Sequence, residues 1–331
     1  MDNSYSYFSF VYDKLMDNIP YDEWTEFICS ILKKDGINDG IIMELGCGTG
    51  QMTERLFKSG YDMIGIDNSA EMLDVAEERL SMIQSEMEEM TSILYLNQDM
   101  REFELYGTVR AIYSVCDSLN YITKKDDLLK VFKLVNNYLD PQGLFIFDFH
   151  TEYYYKETVG DNTIAEVRDE VSFIWENRYN EADKINNLYL TLFLKVEDEK
   201  CADDSRTEDC VKEGAFDSAV EGDEEYVDDS RTEDCVKEGA FDSAVEGDEE
   251  YVDEVFSEPP LYERHDEVHV QRAYSLDEIR KMLDEAGLVF IEAYDANTKD
   301  RPDDESDRII VVARENGKSW DDLEKFMNQE L

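Results

Sequence analysis

Three acidic residues and one glycine run have the types and spacing to hold a nucleoside-bearing ligand. The run is Glu44-Leu45-Gly46-Cys47-Gly48-Thr49-Gly50. Its glycines let a ligand approach the backbone closely, and the helix behind would turn its free amides toward that ligand. A dinucleotide fingerprint reads GxGxxG, whereas here the third glycine comes one residue early. Taken alone, the run reads equally as a tight turn. Asp67 lies 23 residues after Glu44 and ends a second apolar stretch. A carboxylate there can accept both hydroxyls of a ribose, and its other reading, a helix cap, is already offered by Asn68 and Ser69. Asp99 ends a third stretch. Its carboxylate suits an adenine amino group and the Met100 amide suits the ring; the alternative is an ordinary turn residue.

Proton transfer near neutral pH points first to histidine, and there are three: His150, His265 and His269. In Glu267-Val268-His269-Val270-Gln271-Arg272 the residues alternate, so Glu267, His269 and Gln271 share one strand face. The simplest reading turns the two valines inward. His269 then faces solvent, or an active-site cleft if the sheet caps one. His150 follows the apolar run Phe147-Asp148-Phe149, at the end where open α/β sheets bind ligands. Asp117 and Asn120 are polar groups just past the fourth stretch, and Tyr153, Tyr154, Tyr155, Trp175 and Tyr179 either line a pocket or pack one layer on another.

The elements that would position these groups follow from periodicity. Strand-like runs at 40–45, 61–67, 92–99, 109–116 and 143–149 alternate with helical spacing at 51–59, 69–82 and 124–139. This order predicts a parallel sheet with right-handed crossovers. Period-2 segments at 171–179, 187–196 and 266–274 predict a three-stranded antiparallel cap. Ser275-Leu276-Asp277-Glu278 is a capping box for a helix ending at Gly287, and strands at 288–294 and 308–313 complete the core. The fold class is thus α/β: a Rossmann-like seven-stranded sheet of order 3-2-1-4-5-7-6, its last strand antiparallel, with an inserted antiparallel β cap. The expected divisions are a binding core over 1–150 with an N-terminal lid at 1–39, the cap over 151–274, and the rest of the core over 275–331.

Residues 203–227 recur unchanged at 228–252, each copy holding ten acidic and two basic residues. A unit so charged and so poor in large apolar residues reads as a disordered insertion; its other reading is an acidic docking segment for a protein partner. The chain's net charge of −49 repels phosphate backbones and anionic lipid surfaces, so neither nucleic acid nor membrane is expected as the main partner. Six cysteines without a CxxC pair indicate neither a disulfide framework nor a zinc site, and no metal is expected. The opening residues lack a signal-peptide pattern and no long apolar run occurs, so a cytoplasmic location is expected.

ELGCGTG, GIDNSAEML, NQDM and AIYSVCDSLNYI, in this order and spacing, resemble the motifs of class I S-adenosylmethionine (SAM)-dependent methyltransferases. The likeness covers nearly the whole chain apart from the insertion. FVYDKLMDNIPYDEW, DMREF and SLNYI are similar to a bacterial small-molecule subgroup that includes amino-sugar nucleotide N,N-dimethyltransferases. The resemblance implies SAM as cofactor, held by Glu44, Gly46, Cys47, Gly48, Gly50, Asp67, Asn68, Asp99, Met100 and Ser114. It also implies an N-terminal segment folded over it, with Tyr12 reaching the methionine carboxylate. Family members with a similar Glu-x-His pattern favour the cleft for His269, which with His150 is a candidate catalytic residue. The implied reaction moves a methyl group to nitrogen or oxygen of a small acceptor. Two other readings stay open: a catalytically inactive SAM- or S-adenosylhomocysteine (SAH)-binding protein that works through its insertion, and an RNA methyltransferase.

Overall fold

The computed structural model describes residues 8–86, 93–196 and 261–320. The duplicated insertion and its proposed docking role lie outside these residues. The chain divides into a unit of residues 1–195 and 262–331 and a second of 196–261, of which only Val196 and Leu261 are described. Both sheets belong to the first unit.

Helices α1 (Phe8–Leu15) and α2 (Tyr21–Lys34) precede β1 (Ile41–Leu45), α3 (Gln51–Lys58), β2 (Asp62–Asp67), α4 (Ala70–Glu86), β3 (Leu94–Asn97), β4 (Val109–Ser114), α5 (Lys125–Tyr138) and β5 (Leu139–His150). Then come β6 (Thr163–Glu166), β7 (Val171–Asn180), β8 (Ile185–Lys195), β9 (Tyr262–Arg272), α6 (Leu276–Glu285), β10 (Leu288–Asp295) and β11 (Arg308–Glu315). The main sheet runs β3-β2-β1-β4-β5-β11-β10, with β11 antiparallel to both neighbours. This is the order the sequence predicts, β10 and β11 being the sixth and seventh core strands.

Alternation along β5 feeds two core layers. Phe145, Phe147 and Phe149 pack with Val131, Phe132 and Val135 of α5, while Leu144 and Ile146 pack on the other face with Ile28 and Leu32 of α2. In α2 the buried residues Tyr21, Trp24, Thr25, Ile28, Ile31 and Leu32 recur at helical spacing, which is why that helix lies on the sheet. The capping box opens α6 as expected: the Ser275 hydroxyl accepts from the Glu278 amide and the Glu278 carboxylate from the Ser275 amide.

The cap has four strands, β6-β7-β8-β9, rather than three. The extra strand β6 is short and wholly exposed, so it carries no alternation to read. The side chain of Asn120 ties cap to core: its amide donates to the carbonyls of His150 (3.1 Å) and Arg272 (2.8 Å), and its oxygen accepts from the His150 amide (2.9 Å).

Candidate active site

A cleft of about 900 Å³ runs from the glycine loop to the inner face of the cap. Gly46, Gly48, Asp67, Asn68, Asp99, Met100, Tyr12, His150 and His269 all line it. Gly46 (φ 73°) and Gly48 (φ 52°) have left-handed backbone that favours glycine. A Cβ on Gly46 would come within 2.7 Å of Ser118 Oγ, whereas one on Gly48 would meet nothing within 4 Å. The loop therefore closes against Ser118 on one side and leaves open space on the other.

Asp67 fixes that shape. Its Oδ2 accepts from the Gly48 amide (2.8 Å) and its Oδ1 from the Ser69 amide (2.9 Å). Burial raises its pKa and these backbone donors oppose the rise. Ser69 itself caps α4 through the Met72 amide (3.2 Å). Asp99 lies two residues beyond β3 and is held by Arg101, which lowers its pKa. Helix α1 brings Tyr12 to the cleft, and its neighbour Asp13 anchors the helix by accepting from Thr49 Oγ1 (2.6 Å) and pairing with Arg79.

Four residues expected at the cofactor do not line the cleft. Glu44 is buried beneath the loop, where its carboxylate accepts from Thr53 and from Tyr113 Oη (2.8 Å); burial pushes its pKa up to about 8. Ser114 is buried and donates to the Leu45 carbonyl (2.8 Å), pinning β4 to β1. Cys47 is buried with its amide on the Ile66 carbonyl (3.0 Å). Gly50 begins α3. These residues shape the loop from behind.

On the opposite wall the polarity of β9 is the reverse of the simplest expectation. His269 is 3% exposed, whereas Val268 and Val270 are 57% and 39% exposed. The cap covers the cleft with its polar face, and the valines point outward. His269 Nδ1 lies 3.2 Å from Tyr121 Oη, and its Nε2 lies 3.2 Å from the carboxylate of buried Glu267.

Between the two walls sits a buried ionic network that sequence reasoning missed. Arg308, the first residue of β11, donates to Asp148 Oδ2 (2.6 Å) and Asp117 Oδ1 (3.0 Å) and faces the Trp24 ring. Burial works against its charge, but the two carboxylates outweigh it and raise its pKa. Burial also raises the Asp117 pKa, with Arg308 opposing and Asp148 adding. Gln271 donates to Asp117 Oδ2 (2.7 Å) and accepts from Tyr155 Oη (3.1 Å), carrying the network into the cap. Cys116 (φ 60°) and Asp117 (φ 53°) adopt left-handed backbone without being glycines. The Asp148 carboxylate accepts both their amides, 3.2 and 2.9 Å, and so holds a conformation that costs roughly 1–3 kcal/mol per residue.

His150 belongs to this network rather than to a base. Its Nδ1 lies 3.4 Å from the Asp307 carbonyl and its Nε2 2.8 Å from Arg308 Nη2. A carbonyl only accepts and a guanidinium only donates, so Nδ1 carries the proton and the Nε2 lone pair is occupied. Burial, then Arg308, lowers its pKa well below 6.5. The ring stacks on Tyr154 with centroids 3.6 Å apart. Tyr154, Tyr155 and Trp175 line the cleft, as one reading of the aromatic residues had it.

Residues 42–143 match the model of a methyltransferase domain. The chain is 39% identical over 174 residues to YqeM of Bacillus subtilis (strain 168), a protein assigned as a methyltransferase; the alignment spans 52% of this chain and 66% of that protein. It is 27% identical over 312 residues to GWCH70_2453 of Geobacillus sp. (strain WCH70), also assigned as a methyltransferase, spanning 94% of this chain and 99% of the other. The crystal structure of an S-adenosylmethionine-dependent methyltransferase from Clostridium acetobutylicum superposes with a TM-score of 0.68 at 24% identity, over 95% of this chain and 100% of that one.

The chain carries a methyltransferase domain. The cleft's residues fit SAM, the cofactor that the sequence resemblance implies: Gly48 leaves room where a side chain would stand, and strand-end carboxylates line the same cleft. Among the described residues no helix is long and apolar enough to cross a membrane.

Proposed function

We propose that this protein transfers a methyl group from SAM to a nitrogen or oxygen of a small-molecule acceptor lodged between the glycine loop and the polar face of the cap. SAM supplies a methyl carried on a sulfonium. The carrying observation is that buried His269 and Gln271 line the cleft, with buried Glu267 on the same strand face, while Val268 and Val270 face outward. A strand pays a desolvation cost to turn its polar face inward, and that cost is offset where the face meets polar groups or a polar ligand.

In this reading Asp67 and the Gly46–Gly48 backbone hold the ribose side of the donor, Asp99 and Met100 the adenine side, and Tyr12 the methionine end. Displacement at a sulfonium needs a free lone pair on the acceptor and close alignment more than a covalent intermediate. Where the acceptor arrives protonated, its excess proton passes to Tyr121 Oη as the tyrosine's own proton passes to His269 Nδ1. Glu267, 3.2 Å from Nε2, stabilises the imidazolium formed. A cleft of about 900 Å³ supports a small acceptor, and the net charge of −49 argues against a nucleic-acid one.

Calorimetry with SAH on the full chain tests the reading. The expected result is saturable binding that Asp67→Ala weakens by at least about tenfold, one good hydrogen-bonded contact to a ribose. A folded protein that takes up no SAH would refute it.

A further inference from the structure

On the cap wall, away from the glycine loop, a short chain of side-chain amides has only one consistent orientation. The Gly160 carbonyl can only accept, so Asn177 turns its Nδ2 toward it (2.7 Å) and presents Oδ1 in the other direction. That oxygen in turn accepts from Asn186 Nδ2 at 2.7 Å. Asn186 is then left with its Oδ1 outward, buried and without a protein donor. Asn186 is 1% exposed and lines the cleft. It stands on the same face of β8 as Leu188 and Leu190, which alternate with it and also line the cleft. Farther along, Trp175, which pairs with Leu190, keeps a buried Nε1–H without a protein acceptor.

An unpaired buried acceptor costs stability and is avoided in most proteins, so its survival at the cleft wall needs a reason. Resting on the methyltransferase reading above, we propose that Asn186 Oδ1 is a recognition point for the acceptor molecule. It receives a hydrogen bond from a neutral hydroxyl or N–H group distinct from the atom that is methylated. The apolar floor of Leu188 and Leu190 takes a carbon skeleton next to that group. Trp175, whose pair Leu190 lies about 13 Å along β8 from Asn186, donates through Nε1 to an oxygen at the skeleton's far end. The ligand class is a hydroxylated molecule with one apolar face, long enough to reach from Asn186 toward Trp175.

Cyclohexanol and methoxycyclohexane probe this point directly, since the ring is the same and only the alcohol can donate. Titrations of the SAH-saturated full chain are followed by the Asn186 side-chain amide resonances, and repeated by ligand-observed NMR on Asn186→Leu. The alcohol should bind about fivefold more tightly than the ether, the worth of one hydrogen bond, and should shift the Asn186 amide; in N186L the preference should vanish. Equal binding of the two probes, binding of neither, or a preference that survives in N186L overturns the assignment. SAH uptake is measured on the same samples. Its absence would sink the methyltransferase reading, whereas its presence without discrimination between the probes sinks only the role of Asn186.

Discussion

Tyr121 Oη and His269 Nδ1 stand 3.2 Å apart, with their rings edge to face at 5.9 Å between centroids. Tyr121 belongs to the turn after β4 and His269 to the cap, so the contact joins the two walls of the cleft. Behind it lies Glu267, its carboxylate 3.2 Å from His269 Nε2, and the proposed reaction moves a proton away from the acceptor along these three side chains.

This line predicts how two substitutions act. With an amine acceptor identified by SAH release, Tyr121→Phe and His269→Gln should each lower kcat by about 10²-fold or more while SAM affinity stays within about twofold. The losses should not add in the double variant, because both residues serve one proton path. Additive losses would show that they act separately.

His150 should stay out of that path. With Nδ1 protonated and Nε2 accepting from Arg308, and with its pKa lowered well below 6.5, it should remain neutral across the range where an exposed histidine titrates. Long-range ¹⁵N NMR should find one protonated nitrogen, Nδ1, at pH 6.5 and somewhat below. A titration midpoint near 6.5 would contradict the network drawn for Arg308.

Arg308 is placed to compensate two buried carboxylates. Arg308→Leu should destabilise the fold by about 3–5 kcal/mol in urea unfolding, because Asp117 and Asp148 lose their partner. Arg308→Lys should cost less, keeping the charge but not the forked geometry. A leucine variant of wild-type stability would mean that the two carboxylates are not charged together.

Glu44 makes stability depend on pH with a definite sign. Its pKa rises from 4.5 to about 8 on folding, so between those values the folded protein keeps a proton that the unfolded chain releases. Its contribution is fully present below about pH 4.5 and is lost as pH rises through about 8. Glu44→Gln lacks this dependence, so the stability of wild type relative to E44Q should fall by roughly a few kcal/mol between about pH 5 and pH 8.5. Urea midpoints at the two pH values measure it; a constant difference would contradict the burial of a neutral Glu44.

The strand order was legible because each core strand is a short apolar run bounded by turn residues, and the order of runs and helices leaves few topologies. Asp67 was legible because a motif fixes it at a strand end. The roles of Glu44 and Ser114 were not, since a motif letter does not say whether a side chain faces the ligand or the layer behind. Alternation in β9 revealed two faces without saying which is inside, and the usual preference for buried valines pointed the wrong way because this cap covers a polar cleft. Arg308 left one weak signal, a lone cation heading the apolar run Ile309-Ile310-Val311-Val312, and its partners Asp117 and Asp148 are far away in sequence. Asn186 left none, because its importance depends on an amide orientation set by the Gly160 carbonyl.

The central claim is that the glycine loop and the polar face of the cap form one active site. A crystal structure of the full chain with SAH tests it most directly. The account predicts the nucleoside against Asp67 and the Gly46–Gly48 backbone, with the sulfur turned toward Tyr121 and Asp117, so that an acceptor atom in line with it lies within a hydrogen bond or one water of Tyr121 Oη. A sulfur facing away from the cap, with Tyr121 and His269 beyond that reach, would contradict it.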